Sequence, residues 1–141
     1  MKPQFLALLA AMAWGFGGYF EKKGLQLGHI PAHVGITIRT AVALAILGAI
    51  SFPQLKTLAE TGARPLFYMV IGGGILAGSA GMLCFYAALK GAPVSQVMPI
   101  AFTAPLFGVL MGLIFGGEQL TWKLALGALM TVSGIVLITA K

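Results

Sequence analysis

Long apolar runs, interrupted by short polar or proline-glycine punctuation, set the pattern of this chain. Five runs have the length that a helix needs to cross a bilayer, about 20 residues at about 1.5 Å each. They lie near 3–20, 31–52, 65–89, 94–116 and 120–140. Glu21-Lys22-Lys23 closes the first, and Pro31 sits in the opening turn of the second, where its missing N–H is harmless. Ser51-Phe52-Pro53 ends the second and Pro65 opens the third. Lys90-Gly91-Ala92-Pro93 turns the chain into the fourth, and Gly116-Gly117-Glu118 separates the last two. Connections this short make neighbouring helices antiparallel. The pattern predicts an all-α integral membrane protein, with five transmembrane helices in a single domain over 1–141.

Composition agrees. Hydrophobic residues make up 59% of the 141 positions and charged residues only 9%, with a mean hydropathy of +0.97. A soluble domain is about 25% charged. Twenty glycines fit helices that approach closely within a bilayer. The net charge of +6 would suggest nucleic acid in a soluble protein. Here the basic residues fall at helix ends, where snorkelling and headgroup contact account for them, so the expected partner is the lipid bilayer and no nucleic acid. Cys84 is the lone cysteine and forms no internal disulfide.

Basic residues near helix ends normally fix orientation. One side would carry Lys2, Lys56, Arg64 and Lys123, and the other Lys22, Lys23, Lys90 and Lys141. The balance suggests copies inserted both ways. A signal peptide competes for the N-terminus, with Ala11-Met12-Ala13 as its cleavage site. Against it, hydrophobicity continues through Trp14 to Phe20, as in a full transmembrane helix.

Arg39 is the charge that falls well inside an apolar segment. A guanidinium at such depth costs roughly 2.5–3.5 kcal/mol on insertion scales, so it normally faces a polar cavity or an ion partner. On a helical wheel Arg39 shares a polar arc with His33, Thr37, Thr40 and Ser51, which should be buried against protein or water. Threonines often bond their own helix, and His33 lies near the membrane edge, so those residues read as mostly structural. Glu21, Glu60 and Glu118 all map to helix ends or loops, leaving no carboxylate at the depth of Arg39. An arginine without such a partner suits an anionic or zwitterionic substrate, bound by bidentate bonds.

The third segment places Tyr68, Gly72, Ile75, Ser79, Met82 and Tyr86 on one helical face. In the fourth, Pro99 and Pro105 are helix kinks that free the carbonyls of Ser95 and Ala101. Gln96 and Thr103 share a face with Pro99. Gly108, Gly112 and Gly116 form a stripe of small residues suited to helix packing. Trp14 sits among small residues as a cavity wall, a lipid-facing ring or a core ring. The expected substrate-binding set is Arg39, Trp14, Tyr86, Gln96 and Thr103. No phosphate-cradling loop, metal-spaced His/Cys cluster or nucleophile–base pair occurs in the sequence, so neither an enzyme nor a cofactor or metal site is expected.

Trp14-Gly15, Lys22, Pro31 and Arg39 follow the opening pattern of EamA-type domains of the drug/metabolite transporter superfamily. Tyr86-Ala87-Ala88-Leu89, Gly91-Ala92-Pro93-Val94-Ser95, Pro99, Pro105 and Gly117-Glu118-Gln119-Leu120 then occur in the same order. The resemblance covers nearly the whole chain. It implies a secondary transporter of a small metabolite by alternating access, multi-pass in a plasma membrane of the bacterial inner-membrane type. Most relatives carry two such five-helix units in inverted orientation, whereas this chain resembles a single unit. A homodimer, antiparallel in arrangement, or pairing with an inverted paralogue is therefore expected. A small multidrug exporter and a non-transporting membrane assembly subunit are the alternative readings.

Overall fold

The computed structural model describes residues 2–140, except for the side chain of Ala59. Met1 and Lys141, the latter one of the end charges weighed above, lie outside the described residues. Every element among the described residues is helical. The α-helices are α1 (Pro3–Leu27), α2 (Ala32–Ser51), α3 (Lys56–Glu60), α4 (Ala63–Tyr68), α5 (Met82–Gly91), α6 (Val94–Ala101), α7 (Ala104–Phe115) and α8 (Trp122–Thr139). A 3-10 turn at Phe52–Gln54 follows α2, and a π-helix at Met69–Gly81 joins α4 to α5.

Among the described residues, four stretches are long and apolar enough to cross a membrane: Ala32–Gln54, Ala63–Gly91, Val94–Phe115 and Trp122–Thr139. α1 has 25 residues but is not among them. Gln4, Trp14, Tyr19 and several glycines dilute its apolar part, and Glu21-Lys22-Lys23 lies within it. Large side chains such as Leu44 and Phe115 are 71% and 77% exposed, as residues that face hydrocarbon would be. The helices form two compact units, one of Tyr19–Gly91 and the other of residues up to Gly18 together with those from Ala92 on.

α1 continues past Phe20, where the sequence placed its end, because Glu, Lys and Leu are good helix formers and the isolated Gly24 is tolerated inside the helix. A hydrogen-bonded cap then stops it. Ile30 N–H donates to the Leu25 carbonyl at 3.0 Å and His29 N–H to Gln26 at 3.3 Å, with His29 left-handed at φ 48°. α8 begins at Trp122 rather than Leu120 because the Thr121 hydroxyl caps it, accepting from Leu124 N–H at 3.2 Å. The segment expected as one helix over 94–116 divides into α6 and α7 at Phe102-Thr103. Pro99 lies inside α6, while Pro105 sits in the first turn of α7, where its missing donor costs nothing. In the third segment the α period gives way to π turns over Gly72, Gly73, Gly74, Gly78 and Gly81. Wide turns are easiest where no Cβ crowds them. The expected helical face from Tyr68 to Tyr86 is therefore broken: Ser79 donates to the Gly74 carbonyl five residues back, at 3.0 Å.

Within the Tyr19–Gly91 unit the buried apolar residues are Leu25, Ile36, Tyr86 and Leu89. They join the end of α1, the start of α2 and the end of α5. Gly35 lets these elements meet, since a Cβ there would lie 2.6 Å from Leu25 Cδ2 and 3.1 Å from Tyr86 Cε1. Gly35→Ala should destabilise the unit by about 1–3 kcal/mol through overpacking, read as a lower unfolding midpoint in detergent. His29→Gly should act oppositely, gaining about 0.5–1 kcal/mol by relieving the left-handed conformation, less the added chain entropy.

Candidate functional site

Because α1 reaches Leu27, Glu21 is not at a helix end. It lies six residues, about 9 Å, before that end, and Arg39 lies seven residues, about 10 Å, after the start of α2. The short link between the helices reverses the chain, as the Leu25–Gly35 approach and the Glu21–Arg39 pair both show, so the two positions come level. Arg39 Nε is 2.9 Å from Glu21 Oε1. The expectation that no carboxylate matches the depth of Arg39 is thus overturned. The missed residue was Glu21, and the signal was its distance from the Gly28-His29 turn, nearly equal to that of Arg39.

Tyr86 completes the cluster from α5. It is 2% exposed, packs beneath Gly35 and has its hydroxyl close to the Glu21 carboxylate. One residue along α1, Lys22 Nζ donates to the Leu89 carbonyl at 2.9 Å, tying α1 to the end of α5. The ion pair remains accessible, with the Arg39 side chain 41% exposed and that of Glu21 22%. In water a pair so exposed contributes about 0–1 kcal/mol. In a membrane helix the relevant quantity is the cost of an unpaired guanidinium, roughly 2.5–3.5 kcal/mol at helix centre, which the carboxylate offsets. An open groove of about 340 Å³ beside the cluster is lined by Leu25, Gln26, His29 and Lys90 and does not include Arg39 or Glu21.

The rest of the polar arc on α2 is not buried. His33, Thr37, Thr40 and Ser51 are exposed, and the Thr37 hydroxyl is spent on the His33 carbonyl at 2.9 Å. Trp14, Gln96 and Thr103 belong to the other unit. There Trp14 stacks on Phe102 with ring centroids 6.3 Å apart. Gln96 is half-buried on α6. The Thr103 hydroxyl donates to the Ile100 carbonyl at 2.8 Å, at the break between α6 and α7. In the glycine stripe, Gly112 is covered by the Glu118 carboxylate, which a Cβ would meet at 2.6 Å, while Gly108 has nothing within 4 Å.

No solved structure matches this chain. It is 25% identical over 134 residues to an uncharacterized transporter of Archaeoglobus fulgidus, covering 94% of this chain and 46% of that protein. The chain therefore spans about half the length of the archaeal relative. It is 28% identical over 137 residues to an uncharacterized transporter from the cobO 3′ region of Sinorhizobium sp., covering 96% of this chain and 94% of that protein. The model of the EamA-like transporter family matches residues 1–140. With four helical stretches long and apolar enough to span a membrane among its described residues, the chain is a multi-pass membrane protein and belongs to the EamA-like transporter family.

Proposed function

We propose that this chain is a secondary transporter of a small metabolite, working by alternating access, with α1 as a fifth span beside the four apolar ones. The single observation that carries the reading is Arg39: a guanidinium inside a spanning helix, paired yet accessible. Its planar fork suits an anionic or zwitterionic group. Tyr86 holds the pair in place from a buried position, so it serves as a positioning residue. A cationic drug has no bare acid to bind here, because Arg39 already neutralises Glu21. That weighs against the multidrug exporter on a different ground from the one the sequence offered.

The active form is proposed to be a dimer in the plasma membrane, formed with an antiparallel second copy or an inverted paralogue. Balanced basic residues at the helix ends and an archaeal relative of about double length support this assembly. In a Cys84→Ala background, Lys141→Cys should label partially with an impermeant thiol reagent in intact cells and fully after permeabilisation. All-or-none labelling would rule out the antiparallel homodimer. For the site, Arg39→Lys should reduce uptake into proteoliposomes at least tenfold while membrane expression stays near wild type, since the charge survives and the fork is lost. Parallel loss of expression and uptake would show the arginine to be structural only.

A further inference from the structure

We infer that Glu21 is the second half of the substrate site, and that the species transported carries both a positive and a negative group. The inference rests on the transporter reading above and takes the substrate class one step further. The guanidinium of Arg39 is already engaged through its Nε, 2.9 Å from Glu21 Oε1, so an incoming anion that takes that edge of the fork has to compete with the carboxylate. If a simple anion won, Glu21 would be left beside the spans without its counter-ion. The Tyr86 hydroxyl close to it is neutral, and the adjacent Lys22 donates to the Leu89 carbonyl. Beside membrane-spanning helices, removing one partner from the pair is far costlier than exchanging both, because it strands a charge.

A zwitterion avoids that cost. Its anionic group takes the fork of Arg39, its cationic group takes Glu21, and the net charge of the site is the same before and after binding. A simple cation fails by the mirror argument, since it would strand Arg39. Accessibility fits an exchange, because both members of the pair are part-exposed while Tyr86, which holds Glu21, is not. In this account the ion pair is the resting state of the site, and the substrate replaces each charge's partner in turn.

The test uses full-length protein in liposomes and labelled probes matched in skeleton: alanine, propionate and propylamine, then phenylalanine, hydrocinnamate and phenethylamine. A wider set of sugars and nucleosides reports transport of any kind. Wild type should prefer the zwitterion of at least one skeleton by about tenfold or more over its matched acid and amine. Glu21→Gln should move the preference towards the acid, and Arg39→Gln towards the amine, both at wild-type expression. Uptake of acids equal to zwitterions, or of sugars or nucleosides alone, would overturn this inference and leave the transporter reading standing. Selectivity unchanged in both variants would also overturn it, marking the pair as structural. If wild type moves none of the probes above empty liposomes, the transporter reading fails and the inference falls with it.

Discussion

A guanidinium placed in an apolar helix has to be neutralised, and the Tyr19–Gly91 unit is organised around how Arg39 meets that demand. Its partner lies eighteen positions earlier in the chain, on the facing leg of the α1–α2 hairpin, not on its own helix. The 2.9 Å contact with Glu21 exists only because α1 extends to Leu27 and the link to α2 is short. An end at Phe20, where the apolar run stops, would leave Glu21 in a loop and Arg39 without a counter-ion.

The supporting parts follow from that alignment. The cap at Gly28-His29-Ile30 fixes where α1 stops, at the cost of one left-handed histidine. Gly35, four residues before Arg39 on the same face of α2, removes the Cβ that would separate α2 from Leu25 and Tyr86. Tyr86 can then sit buried with its hydroxyl close to Glu21, while Lys22, the next residue of α1, donates to the Leu89 carbonyl. Backbone capping, a glycine contact and two polar bonds all act on one register.

Much of this fold was legible in the sequence because bilayer length and hydropathy leave few options for runs such as 31–52 and 65–89. Arg39 was legible as well, since one charge in an apolar run is conspicuous. Glu21 was not, because Glu21-Lys22-Lys23 reads as a polar stop when hydropathy alone marks the helix end. Helix propensity and the Gly28-His29 turn decide that boundary instead. The π turns at Met69–Gly81 were hidden for a related reason: a wheel assumes one period, and a glycine-rich run need not keep it. Side-chain choices such as Thr37 bonding to His33 were foreseeable in kind, yet the exposure of the whole arc depended on which face of α2 Gly35 turns inward.

Stability gives the Glu21–Arg39 pair little reason to exist. Two well-packed apolar residues in its place would serve the hairpin as well, since a desolvated ion pair commonly only breaks even against hydrophobic replacements of similar size. The pair is also poor glue, since it is part-exposed while the nearby Tyr86 is buried. What an accessible pair of opposite charges offers, and an apolar contact does not, is a neutral resting state that opens into two complementary half-sites. A helix hairpin that carries this cost inside a transporter is better understood by what can exchange with the pair than by what the pair holds together.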